Sequence, residues 1–296
     1  MAMRILLLGK NGQVGTELQA HLLEMGEVIA LDRHGSEQYC GDLANLSGLR
    51  ATIASIKPHV IVNAAAYTAV DKAESDQDLA NLINNDAVAV LAQEAKKLDA
   101  LLVHYSTDYV FNGTGDSPWL ETDQTAPLNY YGQTKLVGEQ AIQASGCKYL
   151  IFRTSWVYGK QGNNFAKTML KLAKERDSLS IIEDQIGAPT SAELIAGVTV
   201  TAIQQSLANE SLQGIYHLAP TGFCSWFEYA SYVIELARTQ GVELQVNNIK
   251  GIPSSDYKTA ATRPLNSRLD TNKLQQNFQL SLPHWKIGVE QLVKGL

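Results

Sequence analysis

Short apolar runs alternate with amphipathic stretches along the first half of the chain. Five runs are typical of buried strands, because each is short, mostly apolar and followed by turn-forming or polar residues. These runs are residues 4–8, 27–31, 60–62, 101–103 and 149–152. Between them apolar residues recur at helical spacing, as at Val14, Leu18 and Leu22, and again within residues 46–56 and 79–97. This alternation predicts an α/β fold with a doubly wound parallel sheet.

A glycine-rich turn joins the first predicted strand to the first predicted helix. It contains Gly9, Gly12 and Gly15. Gly9 permits a tight turn, Gly12 leaves room for a pyrophosphate, and Gly15 lets the helix pack closely on the strand. The helix N-terminus would offer free N–H groups to phosphate oxygens. The spacing alone is weak evidence, but its place directly after the leading strand predicts a Rossmann-like dinucleotide site.

Polar and small residues follow the next two strands. Asp32 ends the second strand, where an acidic residue commonly binds the adenosine ribose hydroxyls, which favours NADH. Arg33 comes next and could pair with a 2′-phosphate, so NADPH stays open. Asp42 would accept from the adenine amino group or else begin a helix. The small residues within 63–68 suit either a flat cofactor or tight packing.

The pattern loosens after about Gly159. Shorter helices and strands are still predicted, over residues 165–175, 180–182, 193–206, 215–218 and 226–239. We therefore expect residues 1–158 to form the NAD(P)-binding domain and residues 159–296 to form mainly a smaller C-terminal substrate-binding lobe. The substrate would lie between the two parts. Return of some lobe segments to the first domain is left open.

One pair of side chains points to catalysis. Among the 12 tyrosines, only Tyr131 is followed four residues later by a lysine, Lys135. Residues four apart share a helix face, so the ammonium is expected to lower the pKa of the phenol. Such a phenol can give a proton to a carbonyl oxygen during reduction. Thr107, predicted at the carboxyl end of a strand, could donate to the same oxygen.

Composition narrows the classes of partner. Apolar content of 45% and charged content of 18% fit a globular protein, and a net charge of −6 argues against nucleic-acid binding. The sequence contains no apolar run of the roughly 20 residues that cross a bilayer. The three cysteines are far apart and fit a reducing cytoplasm.

Two further features of the sequence are candidates for substrate binding. Arg263 would pair with a phosphate of the substrate or else form a surface ion pair. The polar loop 112–129 is a candidate flap over the substrate.

The combined motifs resemble a known family. The early glycines, Asn63 with the alanines after it, the strand-end Thr107 and the Tyr131–Lys135 pair resemble the extended short-chain dehydrogenase/reductases. The chain most closely resembles the dTDP-4-dehydrorhamnose reductases. Further phrases that carry this similarity lie at residues 63–74, 105–112, 153–158, 162–167, 184–190 and 263–269.

The resemblance implies the last step of dTDP-L-rhamnose synthesis, which feeds bacterial surface polysaccharides. The 4-keto group of a dTDP-4-dehydro-6-deoxy-L-mannose would be reduced by NADH or NADPH, with Tyr131 as proton donor, Lys135 supporting it and Thr107 orienting the keto oxygen. The residues implied at the cofactor are Gly9, Gly12, Gln13, Val14, Gly15, Asp32, Asp42, Leu43, Ala66, Tyr67, Thr68 and Tyr105. Those implied at the sugar nucleotide, besides Thr107, are Asp108, Trp156, Asn164 and Arg263.

The resemblance also implies a homodimer bridged by Mg²⁺ through acidic residues. Glu17 and Glu193 occupy matching motif positions. The sequence ends in Val293-Lys294-Gly295-Leu296, without the matching terminal acid. The metal-linked dimer is therefore an expectation that rests on the two glutamates alone.

Two other functions stay open. A sugar-nucleotide 4,6-dehydratase or 4-epimerase would share the scaffold, although dehydratases carry a Glu where Tyr109 follows Asp108 here. A regulatory subunit of the methionine adenosyltransferase type would act by binding a protein partner. The complete set of Thr107, Tyr131 and Lys135 favours an enzyme.

Overall fold

The computed structural model describes residues 3–296, which form an α/β fold with twelve strands and eleven α-helices among the described residues. The strands are β1 (Arg4–Leu8), β2 (Glu27–Leu31), β3 (Val60–Asn63), β4 (Leu101–Thr107), β5 (Lys148–Thr154), β6 (Val157–Tyr158), β7 (Ser178–Ile182), β8 (Ile186–Gly187), β9 (Thr190–Ser191), β10 (Gly214–His217), β11 (Cys224–Ser225) and β12 (Asn248–Ile252). The helices are α1 (Gln13–Leu23), α2 (Leu46–Ile56), α3 (Val70–Ala73), α4 (Gln77–Asn81), α5 (Ala87–Leu98), α6 (Tyr130–Ser145), α7 (Phe165–Glu175), α8 (Ala192–Ala208), α9 (Trp226–Thr239), α10 (Asn272–Phe278) and α11 (Trp285–Lys294).

The central sheet has six parallel strands in the order β10-β5-β4-β3-β1-β2. The predicted doubly wound sheet is confirmed. The connection after β1 leads to β2 on one side of β1, and the connection after β2 leads to β3 on the other side of β1. The strand order therefore reverses between β1 and β3. In open α/β sheets this reversal opens a crevice at the carboxyl ends of the strands, where ligands bind.

Helices cover both faces of this sheet. One face packs against α1, α8 and α10, and the other packs against α2, α5 and α6. Helices α8 and α10 and the edge strand β10 come from the C-terminal half of the chain, so these segments return to the first domain. The remaining C-terminal elements α7, α9 and α11 with β7 and β12 form a smaller lobe with its own apolar clusters.

The predicted helix over residues 79–97 is interrupted. Helices α4 and α5 are separated by a π-helical turn at Leu82–Asp86, whose Asn84 is buried and bonds the backbone of Tyr67 through both side-chain atoms. Helix α6 packs tightly on this turn, because a Cβ added to Gly138 would lie 2.3 Å from the Asn84 carbonyl oxygen. This contact fixes the height of α6 above the sheet. Within residues 3–296 no helix is both long and apolar enough to cross a membrane.

Candidate active site

A cavity of about 800 Å³ lies where the strand ends meet the C-terminal lobe. Its walls come from the residues that follow β1, β2, β3, β4 and β5, together with the start of α9. The predicted residues that line it are Gly9, Gly12, Gln13, Val14, Asp32, Ala66, Thr68, Tyr105, Thr107, Asp108, Tyr131, Lys135 and Trp156. One cavity therefore contains both the expected cofactor-binding residues and the expected catalytic residues.

The glycine turn has the shape of a phosphate cradle. Gly9 has a φ of +85°, and a Cβ there would lie 2.7 Å from the Ala65 nitrogen, so only glycine fits. A Cβ on Gly15 would lie 2.0 Å from the Gly9 oxygen, so Gly15 supports the turn from beneath and does not line the cavity. Helix α1 begins directly after Gly12, and no side chain of the described residues caps it there. Its free N–H groups suit a pyrophosphate.

Asp32 lines the same cavity as Tyr131. Its carboxylate accepts from the backbone N–H of His34 and from Asn11 Nδ2, each at 2.8 Å, and Lys10 Nζ lies 3.8 Å away. The His34 hydrogen bond is the largest influence that lowers the pKa of this carboxyl. Asp32 is thus an anionic acceptor at neutral pH, as binding to ribose hydroxyls requires, with Arg33 beside it.

The three expected catalytic side chains lie on one wall. Thr107 ends β4, and Tyr131 and Lys135 share the inner face of α6, with Lys135 only 1% exposed. The Thr107 hydroxyl near the phenol works to lower the pKa of Tyr131, and its own hydrogen is donated to Asp108 Oδ1 at 3.0 Å. Asn129 caps α6 by accepting from Gly132 N at 2.8 Å, which fixes the first turn of the helix and so the position of Tyr131.

The expected lowering of the Tyr131 pKa by Lys135 is wrong for the protein's own groups. Burial raises the pKa of Tyr131, and the nearby Asp108 raises it further. The Lys135 ammonium instead donates to the Tyr105 carbonyl oxygen at 2.6 Å and lies 3.0 Å from His104 Nε2. Burial lowers the pKa of Lys135 to about 8. Tyr131 is therefore protonated at neutral pH, the state that a proton donor needs.

Asp108 is buried beside the phenol, at 2% exposure. Burial raises the pKa of its carboxyl to about 7, against the smaller influence of the Ser267 and Thr107 hydroxyls, which lowers it. Its Oδ2 atom is buried and has no hydrogen-bond partner among the described residues. A ligand hydroxyl in the cavity would satisfy this atom, since buried polar groups are normally paired.

Two tryptophans form the wall on the side of the lobe. The rings of Trp156 and Trp226 stack with centroids 3.6 Å apart and an interplanar angle of 13°. Gly187 faces the Trp156 ring, because a Cβ there would lie 2.7 Å from Cε2. Trp156 also has a φ of +48°, a backbone conformation that is rare for a bulky residue and costs energy. No local sequence signal marks Trp226, which lies at the start of an ordinary amphipathic helix.

Five further predicted residues lie outside the cavity wall. Asp42 accepts from Ala44 N in a local turn, and Leu43 is buried in the core under the sheet. Tyr67 has its backbone N and O bonded to Asn84, and its hydroxyl donates to Asp76. Asn164 caps α7 and reaches the cavity only through Gln13, whose Oε1 lies 3.4 Å from its Nδ2.

Arg263 is the fifth of these residues. Its guanidinium forms a bidentate ion pair with Asp71, at 2.7 and 3.1 Å, and its charge lies close enough to Tyr109 to work against the raised pKa of that phenol. The ion-pair alternative is thus what the structure shows. Tyr109 in turn lies edge-on to the Tyr131 ring, at 5.8 Å between centroids. Arg263 therefore supports the phenol from behind.

Glu17 and Glu193 lie side by side on α1 and α8. Burial and the neighbouring Glu193 raise the pKa of Glu17, and Glu17 in turn helps to lower the pKa of Glu193. His21 Nε2 lies 3.2 Å from Glu193 Oε1. Within residues 3–296 no three His, Cys, Asp or Glu residues are grouped as metal ligands. By itself the pair offers fewer oxygen ligands than the roughly six that Mg²⁺ takes.

Known proteins resemble this chain over its whole length. The model of the RmlD substrate binding domain matches residues 3–296. The dTDP-4-dehydrorhamnose reductase of Escherichia coli (strain K12) is 54% identical, covering 99% of this chain and 98% of that protein. The crystal structure of a dTDP-4-dehydrorhamnose reductase from Clostridium acetobutylicum is 35% identical, with a TM-score of 0.90 and 99% of each chain covered.

A solved structure with a ligand agrees with these matches. The dTDP-4-dehydrorhamnose reductase of Bacillus anthracis, in complex with NADP, is 37% identical, with a TM-score of 0.89 and both chains fully covered. Identity of 54% over nearly the full length, together with a matching family model, leaves no part of the fold outside the comparison. The chain belongs to the dTDP-4-dehydrorhamnose reductase family.

Proposed function

We propose that this protein reduces the 4-keto group of dTDP-4-dehydro-6-deoxy-L-mannose to give dTDP-L-rhamnose, with NADH or NADPH as the reductant. It is an NAD(P)H-dependent oxidoreductase of the last step of dTDP-rhamnose biosynthesis. The observation that carries the proposal is the meeting of Thr107, Tyr131 and Lys135 on one wall of a cavity whose far end is a phosphate cradle. Family membership supplies the identity of the sugar nucleotide.

The dihydronicotinamide, when bound, supplies the hydride. Tyr131 gives its phenolic proton to the former keto oxygen, and burial keeps that proton in place until then. Thr107 donates its only hydroxyl hydrogen to Asp108 Oδ1 at 3.0 Å in this structure, so it would orient the keto oxygen by turning that hydrogen from Asp108 to the substrate. Lys135 lies beside both and would hold the nicotinamide ribose.

The dinucleotide would lie along the rest of the cavity wall. The N–H groups of Gln13 and Val14 in the first turn of α1 would bind the pyrophosphate, since the Gly12 N–H donates to the Gly9 oxygen at 3.0 Å, and Ala64 to Ala66 line the same cavity. Asp32 would accept from the adenosine 2′-hydroxyl, whereas Lys10 and Arg33 would pair with a 2′-phosphate. The site therefore has groups that suit either NADH or NADPH.

The rival functions differ at particular residues. A dehydratase would need a second acid–base residue beside Asp108, and Tyr109 there points its ring at Tyr131. A UDP-glucose 4-epimerase from Thermus thermophilus shares the fold at 19% identity, a likeness that speaks for the fold alone. A purely regulatory role would not require Thr107, Tyr131 and Lys135 to meet in a cavity.

The assay that tests the proposal follows the loss of dihydronicotinamide absorbance with the 4-keto sugar nucleotide and either coenzyme. We expect stoichiometric oxidation of NADH or NADPH and formation of dTDP-L-rhamnose. Release of a 4-epimer with no net coenzyme oxidation would identify an epimerase. No turnover, together with binding to a partner protein, would identify a regulatory subunit.

The homodimer and the cytoplasmic location stay predictions. One subunit provides only the Glu17–Glu193 pair, so a bridging Mg²⁺ would need further oxygen ligands from a second copy. Sedimentation velocity with Mg²⁺ and with EDTA tests this. A dimer that EDTA converts to monomer supports the bridge, whereas the same mass in both buffers contradicts it.

A further inference from the structure

The side chain of Gln13 links the glycine turn to the C-terminal lobe. Gln13 is the first residue of α1 and lines the cavity. Its Oε1 atom accepts from the backbone N–H of Gly159 at 2.7 Å and lies 3.4 Å from Asn164 Nδ2. A Cβ on Gly159 would lie 3.2 Å from the Gln13 Cβ, so the two segments are in close contact. The start of α1, where phosphate oxygens would bind, is thus tied directly to the lobe.

The neighbours of the Gln13 amide fix which end is the oxygen. A backbone N–H can only donate, so the atom that faces Gly159 is Oε1. Asn164 agrees with this orientation, because its Nδ2 donates to the Gly159 carbonyl oxygen at 2.8 Å while its Oδ1 accepts from Lys167 N at 3.1 Å. The Nε2 end of the Gln13 amide is left with two N–H groups, which donate to no acceptor among residues 3–296.

The two ends of this amide suit two different partners. The lobe presents N–H donors, which an amide oxygen accepts. The bridging and charged oxygens of a diphosphate are acceptors, to which the amide N–H groups can donate. The backbone N–H groups of Gln13 and Val14 would hold such a diphosphate at the start of α1. When Nε2 donates to one of its oxygens, the amide is fixed with Oε1 toward Gly159.

The contact at Gly159 extends to the tryptophan wall of the cavity. Gly159 directly follows the two-residue strand β6, and Trp156 directly precedes it. The carbonyl oxygen of Trp156 accepts from Thr190 N at 3.2 Å, and β6 itself pairs with β9. Because only two residues separate Gly159 from Trp156, a bond that holds Gly159 also restrains the backbone of Trp156, whose φ is +48°.

We propose that Gln13 is a positioning residue that couples the two ligand sites: its Nε2 donates to a diphosphate oxygen of the coenzyme, and its Oε1 then holds Gly159 and, through β6, Trp156. The inference rests on the proposed function for the identity of the second ligand, a thymidine diphosphate sugar. Each ligand should therefore tighten the binding of the other, because coupling between two binding sites is reciprocal.

Two substitutions open this contact from its two sides. Gln13→Met keeps the length of the side chain but removes both ends of the amide. Asn164→Asp keeps an oxygen to cap α7 but replaces the Nδ2 that faces Gln13 and Gly159 by a carboxylate oxygen. Gln205→Met is the matched control in α8, because Gln205 Nε2 donates to the Phe278 carbonyl oxygen at 3.1 Å and Gln205 does not line the cavity.

Calorimetry measures the Kd of dTDP-L-rhamnose alone and with saturating ADP-ribose, which carries the coenzyme diphosphate without the nicotinamide. In the wild type and Gln205→Met we expect ADP-ribose to tighten dTDP-L-rhamnose about fivefold or more, the lower end of the usual range of coupling. In Gln13→Met and Asn164→Asp this factor should fall below about two. Gln13→Met should also weaken ADP-ribose itself by about threefold or more, the scale of one hydrogen bond, whereas Asn164→Asp should not.

Three outcomes of the calorimetry would overturn the proposal. The first is a wild type without coupling, and the second is a coupling that Gln13→Met leaves unchanged. The third is a Gln13→Met variant that binds dTDP-L-rhamnose more weakly and ADP-ribose normally, since the diphosphate at Nε2 would then belong to the sugar nucleotide.

A second readout needs neither the sugar nucleotide nor turnover. Hydrogen exchange of the Gly159 amide, followed by NMR, reports how often its bond to Gln13 opens. We expect ADP-ribose to slow this exchange about tenfold or more in the wild type and Gln205→Met, and by less than about twofold in Gln13→Met. Equal slowing in Gln13→Met and the wild type would overturn the proposal. A protein that bound no dTDP-L-rhamnose would contradict the proposed function, and the exchange rates would still decide this inference.

Discussion

The hydroxyl of Thr107 donates to Oδ1 of Asp108 at 3.0 Å, while Oδ2 of the same carboxyl is buried and has no partner among the described residues. The pair thus presents one satisfied and one unsatisfied oxygen beside the phenol of Tyr131. Burial raises the pKa of Asp108 to about 7 because the ionised form has lost its water. The protonation state of this carboxyl therefore affects the stability of the fold as well as ligand binding.

Asp108 should make the folded protein less stable as the pH rises from about 4 to about 7. The raised folded-state pKa means that the native state binds more protons than the unfolded state in this window, so stability falls with pH. The amide introduced by Asp108→Asn does not titrate, so this variant should lack the loss, which amounts to at most ~4 kcal/mol. Urea unfolding of both proteins at pH 4.5 and 8 measures the difference. Parallel pH dependences would contradict a protonated Asp108.

Asp32 should determine the affinity for NADH. Its carboxylate is held ionised by the His34 N–H and by Asn11, ready to accept from a 2′-hydroxyl. In Asp32→Ala we expect the Kd of NADH to rise tenfold or more, the scale of a hydrogen bond to a charged group, and that of NADPH to change much less. Fluorescence titration of both coenzymes measures this, with Arg33→Ala as the matched variant that should weaken NADPH more. Equal weakening of both coenzymes by Asp32→Ala would remove Asp32 from the ribose.

Trp226 should hold the Trp156 ring against the substrate. The stack at 3.6 Å restrains a residue whose backbone is itself strained. Trp226→Ala removes this support, so we expect the sugar-nucleotide KM to rise at least fivefold with coenzyme Kd unchanged. Trp226→Phe keeps a stacking face and should stay within twofold of wild type. Steady-state kinetics with each substrate varied separately measures the split, and an unchanged KM in Trp226→Ala would show that the stack has no part in binding.

Gly138 should be intolerant of a methyl group although it lies inside a helix. Its Cβ would lie 2.3 Å from the Asn84 backbone oxygen, so the α6 contact must open. We expect Gly138→Ala to cost about 1–3 kcal/mol of unfolding free energy, the scale of overpacking, against a gain of at most ~1 kcal/mol in helix propensity.

Gly197 in α8 is the matched control for this effect. A Cβ there meets nothing within 4 Å among the described residues, so Gly197→Ala should be neutral or stabilising. Chemical denaturation of both variants at one pH gives the comparison. Equal effects of the two substitutions would show that the Asn84 contact does not constrain α6.

The parallel sheet was predictable because most of its strands are largely buried and hence continuous apolar runs, although β2 at the edge is only partly buried. The five strands from β1 to β5 follow from that pattern alone. The π-helical turn at Leu82–Asp86 did not, because its cause is the long-range bond from Asn84 to Tyr67. No periodicity in the sequence reports such a contact.

The sequence predicted the candidate catalytic residues that belong to a recognisable local motif. Tyr131, Lys135 and Thr107 lie in such motifs, and the structure places them together. Trp226 was missed, because its contact with Trp156 arises from tertiary structure rather than from spacing in the sequence. The expected direction of the shift in the Tyr131 pKa was wrong for the same reason. Burial raises this pKa, and Lys135 donates to the Tyr105 carbonyl oxygen instead of the phenol.

The central claim is that the Tyr131 hydroxyl is the proton source in the reduction. Tyr131→Phe removes that one oxygen and keeps the ring that packs against Tyr109. The direct measurement is kcat for oxidation of NADH with dTDP-4-dehydro-6-deoxy-L-mannose, alongside the Kd of NADH. We expect kcat to fall at least a hundredfold, the usual scale of general acid catalysis, with the Kd within threefold of wild type. A variant that turns over at close to the wild-type rate would contradict the account.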